Sequence, residues 1–265
     1  MEKMNSDYEK VIKARDTERP HADAYIKELF DDFIELKGDR LSADDESILG
    51  GIGKLAGIPV TVIAQRKGNN TEENIRYNFG MTSPEGYRKG IRLMRQAEKF
   101  RRPVITLIDT PGAYPGKEAE MHGQANAIAE SMAVMSGLKV PTIAIIIGEG
   151  NSGGALALSV ADKIWMLENA VFAILSPEGF ASILWKDASH AAEACDAMKM
   201  TADKLYEYGF IDKVISEDKQ IYKNLKKTLR KEIERLSKYN TEALISRRYE
   251  KFRNIDRLGK AERGV

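Results

Sequence analysis

A recurrence constrains this chain more than any single motif. "PVITLID", apolar enough for a buried strand, runs into the glycine loop "TPGAYPG" and then a helix-patterned stretch, "AEMHGQANAIAESMAVMSG". "PTIAIIIG" runs in the same way into "EGNSGG" and the short apolar helix "ALALSVA". The two strands begin near Val104 and Thr142, about 38 residues apart, and a third, Val60–Gln65, precedes Val104 by about 44. Apolar runs of this length bounded by Gly and Pro read as buried strands, and a fixed period marks a repeated supersecondary unit. Units that each supply strands and a helix predict a sheet wound as a spiral. The pattern also allows an ordinary doubly wound α/β sheet.

The flanks extend the reading. "SILGGIGKLAGIPVTVIAQ" predicts a β-hairpin around turn glycines, and "SPEGYRKGIRLMRQAEKF" a helix with Ser83 as N-cap and Pro84 in its first turn. "KIWMLE" and "AVFAIL" read as strands, and "SPEGFASILW" repeats the Ser83–Tyr87 helix start at Ser176–Phe180. Over residues 21–37, Tyr25/Ile26, Leu29/Phe30 and Phe33/Ile34 fall three to four apart, predicting one amphipathic helix closed by Gly38. Past Ile215, Ile221, Leu225, Leu229, Ile233 and Leu236 mark a second amphipathic stretch, and the last fifteen or so charged residues are expected to fray. The chain therefore divides into an N-terminal helical extension (1–40), an α/β core (41–217) and a basic helical region (218–265).

With 41 basic and 40 acidic residues in 265, no overall field favours nucleic acid or a membrane. From Lys219 onward 15 Lys/Arg face 6 Asp/Glu, which suits either an anionic partner or a solvated helix face. The single cysteine, Cys195, excludes an intrachain disulfide and a cysteine-based zinc site. "MEKMNSDYEK" lacks a signal peptide's apolar region, and Thr142–Ile147 is far shorter than the ~20 residues of a membrane span. A soluble, cytoplasmic protein with no bound metal is expected.

"GEGNSGGALAL", Gly148–Leu158, fits two familiar patterns at once. Gly148, Gly150 and Gly153 spell a dinucleotide fingerprint, with Glu168 twenty residues beyond Gly148 as a ribose-binding acid. Gly150, Ser152 and Gly154 spell a nucleophile elbow, for which His190 is the only histidine in the right chain order and a lysine the other available base. A third reading uses no side chain: the amides of Gly153 and Gly154, at a strand-to-helix turn, would form an oxyanion hole. Glycines that merely permit close helix–strand packing are the alternative. The neighbouring loop "IDTPGAYPG" favours the backbone-donor reading, because in a spiral sheet Gly112/Ala113 and Gly153/Gly154 would face one cavity. Two such loops suit chemistry through an enolate-like anion.

Taken together, "FDDFIELKGDR", "GGIGKLAGIPVTVIAQRKG", "NFGMTSPEGYRKGIRLM", "ITLIDTPGAYPG", "IGEGNSGGALAL" and "SPEGFASILWKD" resemble, in matching order from about Arg19 to Glu217, the α subunits of bacterial acetyl-CoA carboxylase carboxyltransferases. The resemblance implies a crotonase-like (ClpP/crotonase) spiral of ββα units with helical extensions at both ends. It implies carboxyl transfer from carboxybiotin on a biotin carrier protein to acetyl-CoA, giving malonyl-CoA for fatty-acid synthesis. No cofactor would be bound by this chain itself; carboxybiotin and acetyl-CoA would be substrates. The implied partners are a β subunit, usually with a zinc ribbon, in an α2β2 assembly, the carrier protein, and a biotin carboxylase that consumes ATP. Gly153 and Gly154 would then be the oxyanion hole, Gly112 and Ala113 the biotin-side cavity wall, and Lys67 and Arg76 contacts for CoA or carrier phosphates, with ion pairing as their alternative. Other biotin-dependent acyl-CoA carboxylases or decarboxylases, and a serine peptidase of the same fold using Ser152, are the competing functions. The sequence departs from the family at Lys117–Glu118, where small residues are usual, and at Asn151, where glycine is common.

Overall fold

The computed structural model describes residues 6–261. Two helices, α1 (Ser6–Ala14) and α2 (Ala22–Leu29), precede a strand, β1 (Asp31–Glu35). β1 replaces the second half of the helix predicted over 21–37. Phe30 is already extended and Asp32 takes a left-handed φ of 52°, in a segment where two aspartates favour helix poorly. The partner strand decides the matter. β1 lies antiparallel on β2 (Ile48–Leu55), where a Cβ at Gly51 would collide with the Ile34 carbonyl and one at Gly53 would lie 3.1 Å from the Phe30 Cβ. Those glycines clear a shelf for Phe30 and Phe33, so the residues that scan as a helix face serve a sheet edge. Gly38 (φ 79°) turns the chain after a strand.

β3 (Ile58–Gln65) completes the predicted hairpin, with Ala56 (φ 47°) and Gly57 (φ 87°) in the doubly left-handed turn that matches strand twist. α3 (Thr71–Arg76) and α4 (Pro84–Lys99) lead to β4 (Val104–Thr110). Ser83 occupies the predicted cap of α4, but its side chain makes no cap bond; its N–H donates to Asp45 Oδ2 at 2.7 Å. The single helix expected after β4 is two, α5 (Lys117–Met121) and α6 (Gln124–Gly137), broken where Gly123 adopts φ 85°. β5 (Thr142–Asn151) and α7 (Ser152–Leu156) follow. Here the predicted glycine loop nearly vanishes, because Glu149–Asn151 stays in the strand and Ser152, at φ 59°, makes the turn alone. β6 (Lys163–Leu167), β7 (Val171–Ala173), α8 (Pro177–Trp185), α9 (Ala191–Met198), α10 (Ala202–Glu207) and β8 (Lys213–Ile215) complete the core. α11 (Ile221–Leu236) and α12 (Thr241–Ala261) end the described chain. Instead of fraying over its last fifteen residues, the chain stays helical to Ala261; Glu262–Val265 lie outside the described residues.

The sheet order is β1-β2-β3-β4-β5-β6-β8, with β7 pairing β5. Pairing is antiparallel through the hairpin and parallel beyond it. Each strand after the hairpin adds to the same side as the last. A doubly wound sheet needs a reversal of strand order, so the winding is the one-directional spiral. β5 is buried at every residue, as a parallel strand covered on both faces must be, and it forks, pairing β6 along Ile143–Ile146 and β7 along Glu149–Asn151. Since β4 and β5 run parallel, with Thr110 opposite Gly150, the segments after them leave the sheet side by side. One core takes in the sheet together with Tyr25 and Leu29 from the N-terminal extension and Leu225, Leu229 and Ile233 from the basic region.

Candidate active site

The two strand-end segments meet. A Cβ at Gly154 would lie 2.7 Å from the Ala113 nitrogen and 2.8 Å from the Gly112 carbonyl carbon. Both are backbone atoms that no rotamer change can move, so only glycine fits. Gly112 itself needs its freedom for a φ of 146°, and Thr110 Oγ1 clips it, accepting the Gly112 N–H at 3.1 Å and donating to the Gly112 carbonyl at 2.7 Å. Gly153 differs: a Cβ there would only touch Ile128 at 3.5 Å, ordinary contact. The N–H groups of Gly153 and Gly154 fall in the first turn of α7, where a helix has no carbonyl of its own to offer, and Asn151 at the N-cap makes no side-chain cap bond. The structure thus brings Gly112, Ala113 and Gly154 into contact, with Gly153 beside them.

The "DTPGAYPG" loop is held from below. Tyr114 N–H donates to the Thr82 carbonyl at 3.0 Å, and Gln124 Nε2 donates to the carbonyls of Thr82 and Tyr114, both at 2.9 Å. The Tyr87 side chain is wholly buried under the junction, its hydroxyl 3.0 Å from where a Gly154 Cβ would stand. Burial pushes its pKa up, so it is a neutral hydroxyl at any working pH.

Behind the loops lies a set of buried charges, and it corrects the reading of Lys67. That ammonium is spent inside the protein, on Asp109 at 2.9 Å and Glu149 at 2.8 Å, and does not reach for a phosphate. Burial alone would lower its pKa, but the two carboxylates outweigh burial and raise it. Asp109 also takes His21 Nδ1 at 3.0 Å and the Glu149 N–H at 3.1 Å. Burial would raise the Asp109 pKa, yet Lys67 and His21 hold it at about 2. Glu149 receives Arg15 Nε at 2.9 Å, and the same guanidinium reaches Glu178 at 2.8 Å. Asp109 sits three residues before Gly112 and Glu149 four before Gly153, so Lys67 ties together the two strands that carry the loops. An acid closing each apolar run, in "LID" and "IGE", was the readable signal for this pair. Arg76 is surface-exposed and paired with Glu46; it borders a cleft of about 540 Å³ shared with Tyr114 and His122.

Neither side-chain motif assembles. Glu168 is fixed at the far end of β6, where its N–H donates to Ile215 and its carboxylate accepts the Glu217 N–H. Ser152 has the strained backbone of a nucleophile, but His190 Nδ1 is 3.0 Å from Glu193 and its other nitrogen faces Asp187. Among the described residues no hydrogen bond joins the Ser152 hydroxyl to a histidine or lysine. No described helix is long and apolar enough to cross a membrane.

Several known proteins resemble the chain over most of its length. The chain is 54% identical over 259 residues to an acetyl-coenzyme A carboxylase carboxyl transferase subunit alpha of Clostridium acetobutylicum, covering 95% of this chain and 94% of that one. It is 54% identical to the corresponding subunit of Streptococcus gordonii, covering 92% and 96%. A protein of Natranaerobius thermophilus described as subunits beta/alpha is 55% identical over 95% of this chain and 43% of its own length. Among solved structures, transcarboxylase 12S superposes with a TM-score of 0.69 at 20% identity, covering 84% of this chain and 42% of that one. The beta subunit of Pseudomonas aeruginosa geranyl-CoA carboxylase gives 0.65 at 15% identity, covering 81% and 42%. The chain spans less than half the length of these structural neighbours, which share its crotonase-like fold. A family model described as acetyl co-enzyme A carboxylase carboxyltransferase-like matches residues 2–256, and the chain belongs to that family.

Proposed function

We propose that this carboxyltransferase subunit supplies the main-chain oxyanion hole for carboxyl transfer from carboxybiotin to acetyl-CoA. The observation that carries the reading is the junction of Gly154 with Gly112–Ala113 at the first turn of α7, with no nucleophile–base pair beside it among the described residues. The amides of Gly153 and Gly154 hold the negative charge that develops on a biotin-side oxygen as the N–CO2 bond breaks. Charge held in the transition state is what accelerates the step. The carboxyl carbon goes to the acetyl methyl carbon, and the methyl proton goes to the biotin nitrogen, so the subunit needs no general base of its own. Gly112 and Ala113 wall the biotin-side cavity, and Arg76, bordering the cleft beside Tyr114, contributes a cation for an anionic group of CoA or carrier.

The relative whose single chain is described as subunits beta/alpha supports a β-type partner; in the proposed arrangement that partner completes the site within an α2β2 assembly. A biotin carrier protein and a biotin carboxylase would complete the reaction cycle in the cytoplasm. The test is to mix the chain with its β subunit and follow malonyl-CoA-dependent carboxylation of free biotin. No transfer by the chain alone and transfer on mixing is the expected result; an inactive mixture overturns the reading. Ser152→Ala is expected to keep most of that transfer, whereas a loss of ~100-fold or more would restore the nucleophile reading. Offering methylmalonyl-CoA beside malonyl-CoA decides between acetyl-CoA and another acyl acceptor.

A further inference from the structure

α7 is only five residues long, so its carbonyls soon run out of helical donors. The Gly153 carbonyl receives the Ala157 N–H at 2.9 Å, but the Leu158 N–H turns to Ala155 at 3.2 Å and passes over Gly154. Three buried side chains from three different elements make up the deficit. Gln65 Nε2, from the end of β3, donates to the Gly154 carbonyl at 2.9 Å. Ser131 Oγ, from α6, donates to the Ala157 carbonyl at 2.6 Å, and Thr106 Oγ1, from β4, to Leu158 at 2.7 Å.

Of the three, only Gln65 grips a residue assigned to the oxyanion hole. Gly154 is then fixed from two sides, its Cα against the Gly112–Ala113 peptide and its carbonyl on Gln65. A glycine is otherwise the residue freest to rotate; the Gly154 N–H lies in the peptide before the one Gln65 holds, so a released carbonyl would let the shared Cα shift and carry that N–H away from the reacting oxygen. The grip has a cost. Gln65 is fully buried at the end of the buried apolar run Val62–Ala64, and its Oε1 has no hydrogen-bond partner among the described residues. An apolar residue here would avoid leaving that acceptor unpaired. We infer that Gln65 is a positioning residue that orients the Gly154 amide for carboxyl transfer. The inference rests on the oxyanion reading above.

The test uses the chain reconstituted with its β subunit and compares Gln65→Met, Gln65→Glu and Thr106→Val in biotin carboxylation, with Tm measured for each. Gln65→Met preserves shape and removes the donor. A misplacement near 1 Å costs on the order of 100-fold in rate, so kcat is expected to fall ~10–100-fold while KM for malonyl-CoA stays within about threefold. Thr106→Val removes a comparable buried bond to the turn that follows the same helix and is expected to lower Tm similarly, with kcat within about threefold. In Gln65→Glu, only the neutral acid can donate to the Gly154 carbonyl, and burial favours that form. Activity of that variant relative to the unsubstituted enzyme should therefore rise as pH falls from 8 to 6. Unchanged kcat in Gln65→Met, rate losses that follow Tm alike in Gln65→Met and Thr106→Val, or a Gln65→Glu profile parallel to the unsubstituted one would each overturn the inference. If the unsubstituted complex transfers carboxyl groups and Gln65→Met does so equally well, this inference fails alone. If the unsubstituted complex transfers none, the functional reading fails and takes the inference with it.

Discussion

Adjacent glycines at 153 and 154 have different reasons for being glycine. At 154 any Cβ meets main-chain atoms of Gly112 and Ala113, so Gly154→Val must separate the two loops. It is expected to abolish transfer and also to lower stability by ~1–3 kcal/mol, the usual range for overpacking, measurable as a reduced Tm. At 153 the added methyl group only rests on Ile128. Gly153→Ala keeps its N–H and restricts the unfolded chain, which typically stabilises by ~0.4–1 kcal/mol. That variant should show an unchanged or slightly raised Tm and transfer within a few-fold of the original. Loss of transfer at full stability would mean that the amide of 153 needs space the methyl group occupies. The sequence showed both glycines as one motif. Which of them is sterically obligatory depended on a loop about forty residues upstream, which no local pattern contains.

At the scale of elements, the decisive joint is the one Lys67 makes between β4 and β5. Lys67→Met leaves Asp109 and Glu149 buried without their shared cation, a change expected to cost ~3–5 kcal/mol and visible in denaturant unfolding. The pH response follows from Asp109. Its folded pKa of about 2 lies below the ordinary 3.8, so its contribution is fully present above about pH 4 and is lost as pH falls toward 2. Stability followed by circular dichroism should decline through that window, and in Lys67→Met the decline should begin at higher pH because the depressing charge is gone. The strand–loop–helix units and the hairpin were legible because their apolar runs are buried on both faces. The stretch 21–37 misled because apolar spacing of three to four also fits a short helix followed by an edge strand, and only the glycine shelf on β2 chooses. Lys67 misled for a related reason. In "QRKGNN" it sits among polar residues, while its partners lie 42 and 82 positions away.

At the scale of the molecule, both extensions are built into the core. Arg15, just beyond α1, links Glu149 to Glu178, so the N-terminal segment braces the strand that leads into Gly153 and Gly154. Arg248 of α12 is only 1% exposed and spans Asp162 and the carbonyls of Met135, Ser136, Leu138 and Val140. It satisfies carbonyls at the end of α6 and pairs a buried acid, so the basic region holds the crossover into β5. Arg248→Met leaves Asp162 unpaired and should destabilise by ~3–5 kcal/mol, with α12 becoming sensitive to limited proteolysis. Its charge pattern was plain in the sequence; that one of its arginines is interior was not. A last consequence concerns the recognition atoms proposed at Gly153 and Gly154, which belong to the main chain. An inhibitor that anchored on those amides would read no side chain there. Escape by substitution would then require moving the backbone, which at Gly154 would part the two loops and cost the transfer itself, so resistance would have to arise away from this junction.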